Sequence, residues 1–164
     1  MKFKFLIVLT FFVLTFSSCG DKKKDNPIPV KKEVAKEAAT NTSNSNEKID
    51  LDAPTLDNKG IGPIKNVKLE AINENMVAKG KELYKINCSA CHKFKKRYIG
   101  PALKGITKKR SPEWIMNLML NTTEMLEKDP VAKALIAEYN APMAQQSLSE
   151  EDARAILEYF RTKN

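Results

Sequence analysis

The stretch "NCSACHKF", Asn87 to Phe94, places two cysteines and the only histidine of the 164-residue chain within five positions. The only other cysteine is Cys19, near the N-terminus. A disulfide framework in a small secreted domain would distribute more cysteines along the chain. Cys88, Cys91 and His92 are therefore predicted to share one local chemical role.

The spacing C-x-x-C-H is typical of covalent haem attachment. Cysteines three positions apart lie about one helical turn from each other, which matches the separation of the two vinyl groups on one haem edge. Each thiol adds to a vinyl group as a thioether, and the adjacent histidine is placed to ligate the iron. We predict one covalently bound haem c, attached through Cys88 and Cys91, with His92 as an axial ligand.

Three other interpretations of the motif compete with haem. A zinc site would have Cys88, Cys91 and His92 but no fourth soft ligand. A thioredoxin-type redox pair requires a βαβ setting, which the sequence does not indicate. A structural disulfide between the two cysteines would leave the histidine without a role. The export signal and the helices described below favour haem over all three.

Residues 1–18 have the pattern of a signal peptide, because Lys2 and Lys4 precede a short, nearly continuous apolar run. This run is shorter than the roughly 20 residues that cross a bilayer. The segment ends in small residues followed by Cys19, which resembles a bacterial lipobox. The alternative is an ordinary cleavage site with an incidental cysteine. We predict lipidation of Cys19, so that acyl chains hold the mature protein at a membrane surface.

Residues 19–66 are rich in lysine, proline and small polar residues, including the run "TNTSNSNEK", and contain no aromatic residue. Such a composition does not bury enough apolar area to offset the entropy of ordering. We predict a lipidated N-terminus and a flexible, disordered linker that leads to a domain at residues 67–164. The net charge is +8, and it becomes +6 if Lys2 and Lys4 leave with the signal peptide.

Residues 67–164 show four helical segments. Ser111-Pro112 and Asp129-Pro130 each combine a capping residue with proline at the first helical position. Ser149, with Asp152 three residues later, forms a capping box that opens a last helix. The first segment has residues at helical spacing ahead of Cys88, namely Leu69, Ile72, Met76, Gly80 and Leu83. No run alternates with a period of two, so the predicted fold class is all-α.

These features together resemble the class I cytochromes c over nearly all of residues 67–164. "AKGKELYKINCSACH" resembles the first helix and attachment motif of that family, "IGPALKG" its Gly-Pro loop, and "LSEEDARAILEYFR" its last helix. The resemblance implies helices wrapped around one haem, in which Pro101 accepts a hydrogen bond from His92 and orients it. It also implies that Ile156 and Tyr159 of the last helix cross the first helix at Gly80.

The second axial ligand cannot be another histidine of this chain, because His92 is the only one. The resemblance places a ligand at Met143, in the loop "NAPMAQQSLSEED" directly before the last helix. Met125, after a threonine-rich break, is a second candidate, and another donor such as lysine or an open site is a third. The remaining mature methionines are more typical of core packing, namely Met76, Met116 and Met119.

A histidine and a thioether together leave no free position on the iron, and the thioether raises the reduction potential. The sequence therefore predicts a single-electron carrier, not an enzyme. We expect a membrane-anchored lipoprotein on the periplasmic side of the cell envelope that binds no nucleic acid. The alternatives are a haem enzyme or sensor with an open distal site, and a haem-free lipoprotein that uses the motif for metal.

A basic exterior suits acidic protein partners or anionic lipid. Two groups of basic residues follow the motif, and around an exposed haem edge they would steer the domain toward acidic redox proteins. Without that role they form a solvated basic face. The two groups are Lys93, Lys95, Lys96 and Arg97, then Lys104, Lys108, Lys109 and Arg110.

Overall fold

The computed structural model describes residues 49–164, and in this range the protein is all-α. Thr55 and Arg110 form an isolated bridge, and residues 49–164 contain no β-strand. No helix in the same range is long and apolar enough to span a bilayer. The predicted signal peptide, Cys19 and residues 20–48 lie outside the described residues. The helices are α1 (Glu74–Asn87), α2 (Ile106–Lys109), α3 (Pro112–Leu120), α4 (Thr122–Lys128), α5 (Pro130–Tyr139) and α6 (Glu150–Arg161).

The predicted helix starts at Ser111, Asp129 and Ser149 are confirmed. Each of these side chains accepts a hydrogen bond from the backbone N–H three residues later, which satisfies a donor that the first helical turn leaves free. The capping box at Ser149 is complete, because the Asp152 carboxylate accepts the N–H of Ser149 in return. Local polar side chains therefore fix the starts of α3, α5 and α6.

The first helix is shorter than its apolar spacing predicts. Asn73 caps α1 by accepting the N–H of Met76, so the helix begins at Glu74. Leu69 and Ile72 precede the cap and are exposed. The structure also contains α2 and α4, two short helices that the sequence analysis did not predict.

Helices α1 and α6 cross at Gly80, as predicted. A Cβ atom at Gly80 would lie 1.9 Å from the carbonyl oxygen of Ala155, so only glycine permits this approach. One helical turn after Gly80, the ring centroid of Tyr84 lies 4.8 Å from that of Phe94 and 5.7 Å from that of Tyr159. This aromatic cluster holds the end of α1, where the cysteine motif begins, against α6.

Residues 49–66, here called the strap, are packed against the helices, which corrects the prediction of a flexible linker up to residue 66. The buried Asn117 side chain accepts the N–H of Ile64 and donates to the carbonyls of Lys59 and Ile64. The buried Arg110 donates to the carbonyls of Leu51 and Ala53. Hydrogen bonds from polar side chains of the helical region thus order the strap, although its own composition predicts disorder.

Candidate cofactor site

The cysteine motif forms a tight turn directly after α1. Cys88 caps the helix by donating its N–H to Tyr84, and its own carbonyl accepts the N–H groups of both Cys91 and His92, at 3.1 and 2.9 Å. The hydroxyl of Tyr84 donates to the His92 carbonyl at 2.7 Å. The aromatic cluster under α1 therefore fixes the backbone that carries all three side chains of the motif.

The imidazole of His92 is held in one orientation. Its Nδ1 lies 3.1 Å from the carbonyl oxygen of Pro101, so this contact predicted from the family resemblance is present. A Cβ atom at Gly100 would lie 2.4 Å from Cε1 of the ring, so the chain passes the imidazole at a position where a side chain would displace it. With Nδ1–H donated to Pro101, Nε2 is left as the metal-binding atom.

Burial lowers the pKa of His92, and the hydrogen bond to Pro101 opposes this only in part. The neutral imidazole, which is the form that ligates metals, is therefore favoured at neutral pH. This protonation state and the fixed ring orientation fit an axial ligand of haem iron.

The two thiols differ in their surroundings. Cys88 is buried, Cys91 is exposed, and no disulfide joins them. Burial, with a smaller effect from Cys91, raises the pKa of the Cys88 thiol to about 11. A thiol of this kind is protonated at neutral pH, which disfavours a thioredoxin-type nucleophile. Within residues 49–164, no group of three or more histidine, cysteine or acidic side chains is arranged to hold a metal ion.

A cavity of about 670 Å³ opens beside the motif. Cys88, His92 and Pro101 line it, together with strap residues 49–52. Its apolar side chains come from several elements, and they include Leu103, Trp114, Ile115, Leu118, Leu135 and Phe160. A cavity of this volume and lining accommodates a large, flat, mostly apolar cofactor.

Two methionines line this cavity, Met143, the candidate ligand, and Met119, which the sequence analysis assigned to core packing, and the other methionines that the structure describes do not. Met143 lines it from the irregular segment before α6, and Met119 lines it from α3. Met125 is fully buried elsewhere, where its sulfur accepts the N–H of Ile61 at 2.9 Å and packs against Gly60. Met125 therefore belongs to the core under the strap, and the sequence interpretation of it as a ligand is not supported.

The cavity also has charged and polar lining residues, and three of them belong to the two basic groups of the sequence analysis, namely Arg97, Lys109 and Arg110. Arg110 is buried, which corrects the expectation that it contributes to an exposed basic face. Arg97 pairs with Glu138, Lys109 pairs with Asp52, and the indole N–H of Trp114 donates to Asp129. Arg110 differs from these donors, because its buried Nε–H has no hydrogen-bond partner within residues 49–164. The Nε atom is enclosed by protein atoms and has almost no accessible surface, so this donor is not open to the cavity.

The oriented histidine, the attachment turn and the apolar cavity together define a c-type haem protein. Comparisons with known proteins lead to the same class. The family model described as "Cytochrome c" matches residues 77–163. No curated protein sequence matches the chain.

Three solved structures resemble the chain. A cytochrome c from Rhodothermus marinus is 47% identical with a TM-score of 0.61, and the match covers 62% of this chain and 88% of that chain. An engineered cytochrome c from the same organism, Rma TDE, is 47% identical with a TM-score of 0.59, covering 62% and 89%. Its complex with a carbene intermediate is 46% identical with a TM-score of 0.57, covering 62% and 88%.

The chain belongs to the cytochrome c family, as a monohaem class I member. The predicted all-α fold and the covalently bound haem c are confirmed, and Cys88 and Cys91 fit the attachment motif of the family. The family supports a haem-binding electron carrier as the general function.

Proposed function

We propose that the protein is a membrane-tethered carrier of single electrons, with His92 and Met143 as the two axial ligands of one haem. The observation that carries the proposal is the cavity in which the oriented His92 and a loop methionine meet apolar walls. The cofactor supplies reversible one-electron chemistry at iron. The chain supplies attachment, orientation and exclusion of water.

Each residue of the site has a separate task in this proposal. Cys88 and Cys91 form the thioethers, and His92 ligates the iron through Nε2 while Pro101 holds the opposite ring nitrogen. Met143 contributes a soft thioether sulfur that stabilises the ferrous state relative to ferric and so raises the potential. The apolar lining keeps water from the iron, which limits rearrangement when an electron moves.

Met143 is a better ligand candidate than Met119 because of the elements on which they lie. Met119 is buried within the regular helix α3, beside Ile115 and Leu118 of the same apolar lining, and so has the surroundings of a core residue. Met143 lies in an irregular segment between α5 and α6 and is only partly buried. A loop side chain can approach an iron atom without distorting a helix.

The test is the ferric absorption spectrum of purified protein made in a host that attaches haem. We expect the weak long-wavelength thioether–iron band in the wild type, its loss in Met143→Ala, and its retention in Met119→Ala, which removes the other lining sulfur. Because the thioether favours ferrous iron, Met143→Ala should also lower the midpoint potential.

Two results would contradict this assignment. One is a band that survives in Met143→Ala and disappears in Met119→Ala. The other is carbon monoxide binding to the reduced wild type without denaturation, which would indicate an open site and favour the enzyme or sensor alternative.

The tether is supported by the sequence around Cys19, which lies outside the described residues. A lipidated Cys19 would leave a connecting segment of residues 20–48 between the membrane and the strap, and tethering raises the effective concentration of the haem domain near membrane-bound partners. We expect the wild type in the membrane fraction and Cys19→Ser in the soluble fraction after cell disruption. Membrane retention of Cys19→Ser would contradict the lipid anchor.

Acidic redox proteins of the cell envelope are the proposed partners. Lys95, Lys96, Tyr98 and Ile99 follow the motif and are exposed, so charge and apolar area occur together on one surface segment. We expect the rate of electron transfer to the anionic oxidant ferricyanide to fall with ionic strength. The double variant Lys95→Gln, Lys96→Gln should be slower at low salt than Lys133→Gln, an exposed control on α5, and equal rates would contradict the docking surface.

A further inference from the structure

The segment between α5 and α6 carries the proposed ligand Met143 but has no regular structure of its own. We call residues 141–148 the ligand segment. It starts after Asn140, which caps the end of α5, and it ends before Ser149, which caps the start of α6. None of its backbone groups makes a hydrogen bond to another backbone group within residues 49–164. The position of the ligand segment therefore depends on side chains.

Gln145 joins the ligand segment to the helices. Its side-chain oxygen accepts the N–H of Thr122 at 2.8 Å, and its side-chain nitrogen donates to the carbonyl of Leu120 at 3.2 Å. The amide thus connects the end of α3 with the start of α4, where Asn121 supplies no side-chain cap. No other residue of the ligand segment makes a hydrogen bond to the rest of the described chain.

The helix end that Gln145 contacts belongs to the wall of the cavity. Leu118 and Met119, directly before Leu120, line the cavity from the end of α3. Met143 lines the same cavity from the ligand segment, two residues before Gln145. A short stretch of chain therefore connects the proposed ligand to the polar anchor of its segment, and that anchor lies on a helix that lines the cofactor cavity.

Apolar packing also holds the ligand segment, but less specifically. Met143 and Leu148 are partly buried against the hydrophobic core. Apolar contacts are non-directional, so they keep the segment close to the helices without fixing its exact position. Hydrogen bonds restrict both distance and angle. The two hydrogen bonds of Gln145 are therefore the contacts that can fix the backbone of Met143 relative to α3.

We propose that Gln145 is a positioning residue that keeps Met143 on the haem iron, so that its hydrogen bonds set the balance between a closed, six-coordinate iron and an open one. This inference rests on the ligation by His92 and Met143 in the proposed function. It assigns control of that ligation to a residue at the surface, since Gln145 is exposed. Removing its side chain should therefore loosen the ligand while the domain still folds.

The test is imidazole binding to the ferric, haem-loaded protein. Imidazole competes with Met143 for the iron, so its apparent affinity reports the fraction of protein in which Met143 is detached. We expect Gln145→Ala to bind imidazole about three- to tenfold more tightly than the wild type, because one or two hydrogen bonds are lost. Gln146→Ala is the matched control, since the Gln146 amide donates only to Ala144 within the segment. It should bind imidazole with wild-type affinity.

Gln145→Glu separates the two hydrogen bonds of the anchor. It keeps an oxygen that accepts from Thr122 and loses the nitrogen that donates to Leu120. Its affinity for imidazole should lie between those of the wild type and Gln145→Ala. Equal affinities of Gln145→Ala and Gln146→Ala would show that apolar packing alone holds Met143, and would overturn the proposal.

A measurement on the wild type needs no variant. Coupling between two sites is reciprocal, so displacing Met143 with imidazole must weaken the hydrogen bond between Gln145 and Thr122. Hydrogen exchange at the Thr122 amide should be faster in the imidazole complex, while exchange at the Met125 amide, inside α4, stays the same. An unchanged rate at Thr122 would also overturn the proposal. Failure of the proposed function is seen separately, as a wild-type ferric spectrum that lacks the thioether–iron band before imidazole is added.

Discussion

Glu158 shows how a single buried charge is made stable in this protein. The side chain lies on α6 with no exposed surface, and its carboxylate accepts hydrogen bonds from Arg154 and Arg161 of the same helix. It also accepts the N–H of Asn73, the residue that caps α1. Two guanidinium groups and a backbone donor thus offset the cost of burying the charge, and they join the start of α1 to α6.

We predict that Glu158→Gln lowers the free energy of unfolding by about 2 kcal/mol at neutral pH, because the neutral amide loses the charge-assisted hydrogen bonds to both arginines. Burial raises the pKa of Glu158, but the hydrogen bonds from Arg154 and Arg161 outweigh burial and hold the pKa below its ordinary 4.5. A depressed pKa in the folded state stabilises the protein above the unfolded value. That contribution is lost as the pH falls through the folded pKa.

The measurement is urea unfolding of the haem-loaded protein at neutral pH and at an acidic pH below the folded pKa of Glu158. The difference between wild type and Glu158→Gln should shrink at the acidic pH, where the wild-type carboxylate becomes protonated. Glu82→Gln, on the exposed face of α1, should match the wild type at both pH values. A difference that stays constant with pH would mean that shape, and not charge, makes Glu158 important.

At the scale of elements, the sequence predicts those helix starts that a capping side chain nearby in the sequence determines. The starts of α3, α5 and α6 are indicated by Ser111, Asp129 and Ser149, because a capping side chain and the backbone N–H that it accepts lie only three residues apart. Helices α2 and α4 have four and seven residues and no side-chain cap, so no comparable signal precedes them. The predicted start of α1 is too early, because apolar residues at helical spacing also occur before the Asn73 cap.

The same distinction applies to the site. Cys88, Cys91 and His92 are contiguous, so the motif alone predicts their chemistry, and the family resemblance correctly adds Pro101. The sequence does not predict that Arg110 is buried against the strap, because its partners there lie 57 and 59 residues earlier in the chain. The family resemblance already favoured Met143 over Met125, and the packing agrees, because Met125 is enclosed under the strap while Met143 lines the cavity.

At the scale of the whole molecule, the strap and the helical region form one hydrogen-bonded unit between residues 49 and 164. Asn117 of α3 is its central anchor, since one buried amide group makes three hydrogen bonds to strap backbone. The approach is close, because a Cβ atom at Gly62 would lie 2.4 Å from the Asn117 side-chain oxygen. The strap should therefore unfold with the domain, and not before it.

We predict that Asn117→Ala lowers the free energy of unfolding by about 2–4 kcal/mol, because the buried backbone groups of Ile64 and the partly buried carbonyl of Lys59 lose their partner. Hydrogen exchange should show the cause, with loss of protection at the Ile64 amide and retained protection in α6. Asn66→Ala, an exposed asparagine of the strap itself, should change stability by no more than about 0.5 kcal/mol. If Ile64 stays protected in Asn117→Ala, the contacts of Arg110 and Met125 suffice to order the strap, and the anchor lies there instead.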